Sequence, residues 1–544
     1  MPKNVILRDD RGIALVAALL LLVGFAALTS AAAFSVVSEK TVTVNHRVGN
    51  RALYAADSGV EAAKQFMTDW ARAKLDSLNN AWNGNGPIIP EPDQVFPPGG
   101  LPLSSALEPG FASTTTISFE DAAFDPRRQA YDFLYTTVST GEYRNGSRTV
   151  ESRGRLRVSA TRGSFADYLI FTDTHLMPDG SEIWFHSTGH FDGRVHTNGT
   201  LRFAYYPTFE DGVTQVDEKA WFFNNGSPRH LDQSQNGNKD KPDFYGGFDR
   251  GESRIELPEN SFSQQRAALG GNPTNTTPVS NQEIRALLGL PPGRGSVDRG
   301  VHLPHDGSRI TGGIYVHGKA ERVELADEEG KQVYRIRDAG NQVTTIKVDF
   351  EKGRTEMIQP DGQTETLGGT PNGVLFVRGP VEDLRGPGRA GDEPLPALAD
   401  RSQINVVAQG DIVVQNDLTY HDYENGESVL GLFTSKGDVR IGTDAPGELR
   451  VDAFVLASGD RKVFTVDGWD TGPYRGQMHL RGGMVTNYFG PFGSFGNPDE
   501  GGGTGYGRDF HYDGRGYVPP YFPLTQRFVT DKPEPQILAW REVN

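Results

Sequence analysis

Residues 13–37 read IALVAALLLLVGFAALTSAAAFSVV, 25 consecutive positions without a charged side chain. At about 1.5 Å of rise per residue, a helix of that length reaches roughly 37 Å, enough to cross the hydrocarbon core of a bilayer. In front of it lies MPKNVILRDDRG, a short leader with Lys3, Arg8 and Arg11. A general secretory signal peptide has a shorter apolar run that ends at a small-residue cleavage site and a break. No break follows here. Beyond Ser38, apolar and small residues recur at helical spacing as Val48, Ala52, Ala55, Gly59, Ala62, Phe66 and Trp70. The spacing predicts one helix, apolar enough for lipid over 13–37 and amphipathic over 38–78, with a narrow seam that allows close packing. A signal anchor joined to an unrelated helix is the alternative.

After the helix the pattern changes. Residues 79–110 are rich in Asn, Gly and Pro, a stretch that stops a helix. Strand patterns follow in ASTTTISFE, YDFLYTTVST and SRTVESRGRLRVSA, the last two flanking a turn expected at Asn145-Gly146. In the last of these, Arg153, Arg155 and Arg157 share one face and Leu156 and Val158 the other, a strand half-buried behind a basic outer stripe. Charge marks a boundary near Ser164. Met1 to Phe165 holds 17 Lys+Arg against 16 Asp+Glu, so the chain's net −16 becomes −17 over the remainder. That acidity argues against bulk attraction to nucleic acid or anionic lipid.

From residue 165 onward, β-branched runs close on glycine again and again. The glycines are Gly318, Gly379, Gly410, Gly437, Gly459 and Gly482, at intervals of 61, 31, 27, 22 and 23 residues. Such periods suit the coils of a β-solenoid, with a β-sandwich as the alternative. The interval of 61 holds a charged hairpin-like insert, and fits two coils or one decorated coil. Pro533 and Pro535 mark the exit from this region, and 536–543 reads as one more strand.

Candidate chemistry is sparse. With no cysteine, thiolate metal sites, disulfides and cysteine nucleophiles are excluded. His175, His186, His190 and His196 lie within 22 residues, but on strand-and-turn sequence rather than a helix face, which favours ordinary turn or core roles over a metal centre. Asp411, Asp438 and Asp460 occupy one repeat position, the mark of turn geometry rather than of a unique acid/base pair. No nucleophile elbow and no phosphate-binding loop is present. Neither an enzyme nor a cofactor is expected. The most ligand-like stretch, 488–522, sets aromatics on Gly-rich loops among arginines, as stacking on single strands requires. Its candidate contacts are Arg475, Arg481, Tyr488, Phe489, Phe492, Phe495, Arg508, Arg515 and Tyr517; the same residues would also pin a loop against its own domain. RFAYYPTF at 202–209 has similar character.

RGIALVAALLLLVGFAALTS followed by RALYAADSGVEAAKQF resembles the N-terminal helix of type IV pilins and pseudopilins, PilX-type minor pilins in particular. The resemblance implies that a prepilin peptidase cuts after Gly12 and leaves Ile13 as the mature, methylated N-terminus. It also implies insertion in the inner membrane, then assembly with major and minor pilins through this helix, at the pilus and cell surface. Major pilins carry a glutamate at the fifth mature position, and here that residue is Ala17. A subunit without this carboxylate cannot neutralise a neighbour's terminal amine inside an apolar bundle, which suits the filament tip. GRVHTNGTLRF, INVVAQGDIVVQNDLTY, FHYDGRGYVPPYF and ILAWREV resemble a domain of undefined role fused to such helices, expected to span most of 165–544. The implied organisation is a leader (1–12), the two halves of the helix (13–37 and 38–78), and a linker with a pilin-like sheet (79–164). A β-solenoid insert (165–532) and a closing pilin strand (533–544) complete it, making an α+β pilin-like module with a large all-β insert. Resemblance to competence-associated minor pilins implies DNA as a ligand. A tip adhesin that binds carbohydrate, or a pseudopilin of a type II secretion system, are the alternatives.

Overall fold

The computed structural model describes residues 11–81 and 92–543, apart from 98, 109, 121, 126–129, 160–161, 187–188, 225, 234–241, 294, 495–502 and 529–534. The chain forms two compact units, Met1–Arg162 with Arg527–Asn544, and Gly163–Gln526.

The first unit is one helix on one antiparallel sheet. The helix runs unbroken from Arg11 to Ala81, 71 residues or about 107 Å. Its sheet has the order Leu101–Glu108, Phe111–Phe119, Ala130–Tyr143, Gly146–Ser159, Gln536–Val543, with Ala123–Asp125 beside the third strand. The C-terminal strand therefore pairs with a strand almost 400 residues earlier, Trp540 opposite Ser152 and Val543 opposite Thr149. The two-residue hairpin loop is Arg144-Asn145, with Tyr143 paired to Gly146, one residue before the expected Asn145-Gly146 turn. Gly146 serves packing instead: a Cβ there would lie 2.5 Å from Val48 Cγ1 on the helix.

In the second unit, strands of successive passes stack in parallel. One sheet contains, in spatial order, Phe248–Arg250, Val213–Gln215, Val195–Thr197, Ile170–Thr174, Tyr474–Tyr488, Leu449–Ala457, Val429–Thr434, Gln403–Ala408, Val374–Val377, Ile314–His317 and Gly300–His302. The chain enters this sheet in its middle, at Ile170. A first arm builds outward to Phe248–Arg250. Helices Phe262–Leu269 and Asn281–Leu287 follow, and a second arm starts at the far end and returns until Tyr474–Tyr488 meets Ile170–Thr174. Register aligns one inward column across both arms: Ile314, Leu375, Val406, Leu432, Val455, Met484, Ile170, Val195, Val213 and Phe248. Each is buried, and burial of such side chains contributes about 1.5–3 kcal/mol apiece.

Between passes the second arm also builds a second parallel ladder, Ala320–Glu328, Val381–Arg385, Ile412–Val414, Val439–Ile441 and Phe464–Val466. Its inward column is Val323, Leu384, Val414, Ile441 and Val466. The 61-residue interval is one decorated pass: Ile314–His317 pairs directly with Val374–Val377, and the intervening residues extend the second ladder as an antiparallel meander. Gly379, Gly410 and Gly437 stack at the corner between ladders, where a Cβ on Gly410 would lie 2.9 Å from Pro380 N. Gly482 does not belong to this corner. It sits inside the strand Tyr474–Tyr488 at φ 147°, with its Cα hydrogens against the Ala453 carbonyl, because that strand runs on to meet the first arm.

The first arm has three faces per pass. Phe185, Phe203 and Phe222 form one interior aromatic column, with ring centroids 6.0 and 5.4 Å apart. Phe191, Phe209 and Phe244 form another, at 4.9 and 5.3 Å. The last pass is closed by Gln233, whose amide donates to Phe248 O (3.0 Å) and accepts from Arg250 N (3.2 Å), as a further strand would.

Candidate functional site

The helix divides into two halves with different surroundings. From Ile13 to Arg47 every residue is exposed, including Ala17 and the mature-terminus candidate Ile13. Within the apolar front Thr29 bonds internally: its Oγ1 lies 2.8 Å from Phe25 O and 3.1 Å from Ala26 O, which keeps that hydroxyl satisfied in an apolar surrounding. Residues 1–10, and with them most of the expected leader, lie outside the described residues, and Gly12 is within the helix.

Behind Arg47 the seam is buried. Val48, Ala52, Ala55 and Gly59 face the sheet. From there the buried line passes to Ala63, Met67, Ala71 and Leu75, while Ala62, Phe66 and Trp70 are half-buried along its edge. Steps of four residues overshoot the 3.6-residue turn, and this drift follows the twisted sheet better than the expected seam did. Phe66 and Trp70 still pack against that core, and Trp70 Nε1 donates to Val95 O at 3.0 Å. The closest approaches of helix and sheet fall at two glycines, Gly59 and Gly141. A Cβ on Gly59 would overlap Ser139 Oγ and lie 2.6 Å from Thr115 Oγ1, and one on Gly141 would overlap the helix backbone at Ala52 and Ala56. Small hydroxyl residues floor this contact, with Thr115 Oγ1 donating to Ser139 Oγ at 2.9 Å.

The residues expected to touch a nucleic acid are mostly engaged within the chain. Phe489 and Phe492 are core residues, 2% and 3% exposed, because the strand they follow turns back over the ladder. Arg515 pairs with Asp513 (2.7 Å), donates to Tyr423 O, Gly426 O and Ser428 O, and lies over the rings of Tyr420, Tyr423 and Tyr517. Arg475 donates to Gly442 O and covers the Tyr506 ring at 4.5 Å, and Arg481 covers Tyr423 at 3.9 Å. Arg508 is an exposed residue with its guanidinium 5.4 Å from the Phe489 ring, and Tyr488 is half-buried beside Arg461. Phe495 lies outside the described residues. In Arg475, Arg481, Phe489, Phe492 and Arg515 the aromatic and cationic character pins loops onto the ladder.

The histidines do not converge. His175 is buried, stacked on Phe185 at 4.9 Å with Nδ1 3.2 Å from Thr172 Oγ1, and burial pushes its pKa down to about 3. His196 is buried between Thr214 Oγ1 (2.7 Å) and Asn198 Oδ1 (3.1 Å). His186 and His190 are exposed, the latter 3.1 Å from Glu210. Among the described residues no group of three His, Cys, Asp or Glu is placed to hold a metal ion. Asp411 and Asp438 cap the next pass: Asp438 N donates to Asp411 Oδ1 (2.9 Å) and Val463 N to Asp438 Oδ1 (3.1 Å). Asp460 is exposed and outside that series.

Sequence reasoning missed the aromatic columns of the first arm. Their signal is a recurrence at 18 residues, Phe185, Phe191 and Val195 followed by Phe203, Phe209 and Val213. It was hidden because the third pass is interrupted by the hairpin Lys219–Asn224/Ser227–Asp232.

Two family models match the chain. The PilX N-terminal model matches residues 11–61, and a domain of unknown function (DUF4900) matches residues 130–217. The second match is shorter than the expected 165–544, and begins in the sheet of the first unit. No curated protein matches the sequence. A solved structure, the competence-associated pilin ComZ from Thermus thermophilus, aligns at 15% identity over 91% of this chain and 98% of that one, with a TM-score of 0.29. At that score the likeness is too low to equate the two folds. The family match falls on the same helix that carries an apolar front and a glycine-lined rear seam: residues 11–61 of this chain are similar to the N-terminal segment of PilX proteins.

Proposed function

We propose that the chain is a non-enzymatic minor subunit of a type IV filament, held first in the inner membrane, cut after Gly12, and placed at the filament tip. In this reading the parallel ladders of Gly163–Gln526 are the coils of a β-solenoid that the filament displays. The observation that carries it is the division of one helix at Arg47. The rear half is buried on its own sheet, whereas the front half, among the described residues, buries nothing against its own chain. A helix apolar on all sides needs lipid or other apolar helices around it. Ala17 supports the tip position, since a subunit lacking a carboxylate there has nothing to offer a neighbour's terminal amine.

DNA capture is not part of the proposal, because three of the four arginines expected to carry it, Arg475, Arg481 and Arg515, are engaged by Asp513, backbone carbonyls and tyrosine rings of the chain itself. Immunoblotting of mechanically sheared surface filaments tests the reading. The subunit is expected in that fraction, at far below the abundance of the major subunit. Its confinement to the membrane fraction, in cells that do assemble filaments, would overturn it.

A further inference from the structure

The outward face of the first arm carries an arrangement that the filament reading does not use. Phe185 pairs with Phe203, and Phe203 with Phe222, so their neighbours line up on the outside of the same three passes. Trp184, Arg202 and Trp221 share one outer row, and His186, Ala204 and Phe223 the next. Adjacent strands are about 4.8 Å apart, which sets Trp184 and Trp221 roughly 10 Å apart along the arm. Ala204 is buried, and the rings of its neighbours pack on one another: Trp184 lies 6.5 Å from Phe223, Phe223 5.7 Å from Tyr205, and Tyr205 4.8 Å from His186. Tyr205 itself is 41% exposed and sits at φ 61°, a left-handed conformation that a bulky residue seldom adopts. The result is a shallow aromatic cup around the strand that carries the buried Ala204.

We propose that this cup binds an uncharged, β-linked polysaccharide chain. One face of such a sugar ring presents axial C–H groups, which pack on aromatic rings, and its equatorial hydroxyls reach outward for polar partners. Those partners are at the rim. Glu182 accepts from Trp184 Nε1 at 3.2 Å and is itself exposed, and Asn224 continues the Phe223 strand. Charge selects against a polyanion. Residues 179–232 carry eight Asp and Glu against four Lys and Arg, and Arg202 is only 3.2 Å from Glu182. A phosphate backbone would meet repulsion where a neutral glycan meets none. The inference goes beyond the filament role and does not depend on it, since the site lies wholly within one arm of the second unit.

The test uses the full chain in detergent, with chitohexaose and cellohexaose as soluble probes and a single-stranded DNA oligonucleotide as the competing class. Saturable binding of at least one hexasaccharide is expected, weakened at least tenfold by Trp184→Ala and by Tyr205→Ala and unchanged by Tyr474→Ala. Tyr205 is exposed, so its truncation keeps the test sound if the tryptophan variant fails to fold. Binding of neither hexasaccharide, or binding indifferent to both cup variants, overturns the proposal. Binding of the oligonucleotide that the cup variants abolish overturns it in favour of a nucleic acid.

Discussion

Met484 is paired in parallel register with Ile170, 314 residues earlier in the chain, and this pair joins the two arms of the second unit into one ladder. Both residues are buried, at 0% and 2% exposure, between Val455 on one side and Val195 on the other. Met484→Ala is expected to cost about 2–5 kcal/mol, through lost burial and the cavity left behind. Chemical denaturation of the full chain measures it. Because the column is continuous, both arms are expected to lose protease protection at the same denaturant concentration. Ile170→Ala should act similarly, and the double variant should depart from the sum of the two single changes by about 0.5–3 kcal/mol, as residues in contact do.

Gly141 sits where the sheet touches the helix backbone at Ala52 and Ala56. Gly141→Val is expected to push the rear half of the helix off the sheet, at a cost of about 3 kcal/mol or more, since backbone rather than a flexible side chain must move. The readout is cleavage within residues 48–75, which should become rapid while the second unit stays resistant.

The helix was legible in the sequence because an uncharged run and a small-residue seam are one-dimensional signals, local in the chain. So was the all-β character beyond residue 165, from β-branched runs ending at Gly379, Gly410 and Gly437. The seam's rear half was not. Whether Phe66 or Met67 is buried depends on the twist of a sheet whose strands come from residues 101–159 and 536–543. Nor was the order of the passes legible. Glycine spacing reports how long a pass is, but the meeting of Met484 with Ile170 is a long-range pairing that no local pattern encodes. The arginines show the same limit. Arg475, Arg481 and Arg515 look alike in sequence whether they face solvent or a tyrosine ring of an adjacent pass.

Two buried histidines make the second unit acid-sensitive. Burial lowers His175 from 6.5 to about 3, and burial together with Arg378 lowers His317 to about 4. Below about pH 6.5 the unfolded chain takes up protons at these positions that the folded chain refuses. Stability should therefore fall as pH drops from about 6.5 towards 4, by at most about 1.4 kcal/mol per pH unit for each histidine. Denaturation midpoints across that range check it, and His175→Gln should flatten the slope.

A surface chain of charges has the opposite sign. His511 holds Asp192 Oδ2 at 2.8 Å on one ring nitrogen and Asp509 Oδ1 at 3.2 Å on the other. Carboxylates only accept, so both contacts need the protonated ring, and the hydrogen bond to Asp192 leads in raising the His511 pKa above 6.5. Burial of the ring opposes that rise without cancelling it. The clasp is complete below about pH 6.5 and is lost as pH rises through the raised value. Asp192→Asn should shift the His511 titration, followed by NMR, to lower pH.

The N-terminal residue of the chain in sheared filaments tests the division of the helix most directly, and mass spectrometry of that fraction reads it. A mature product beginning at Ile13 is the expected result. A product that still begins at Met1 would contradict the proposed role, because the uncut polar leader could not enter the apolar bundle for which residues 13–37 are left bare.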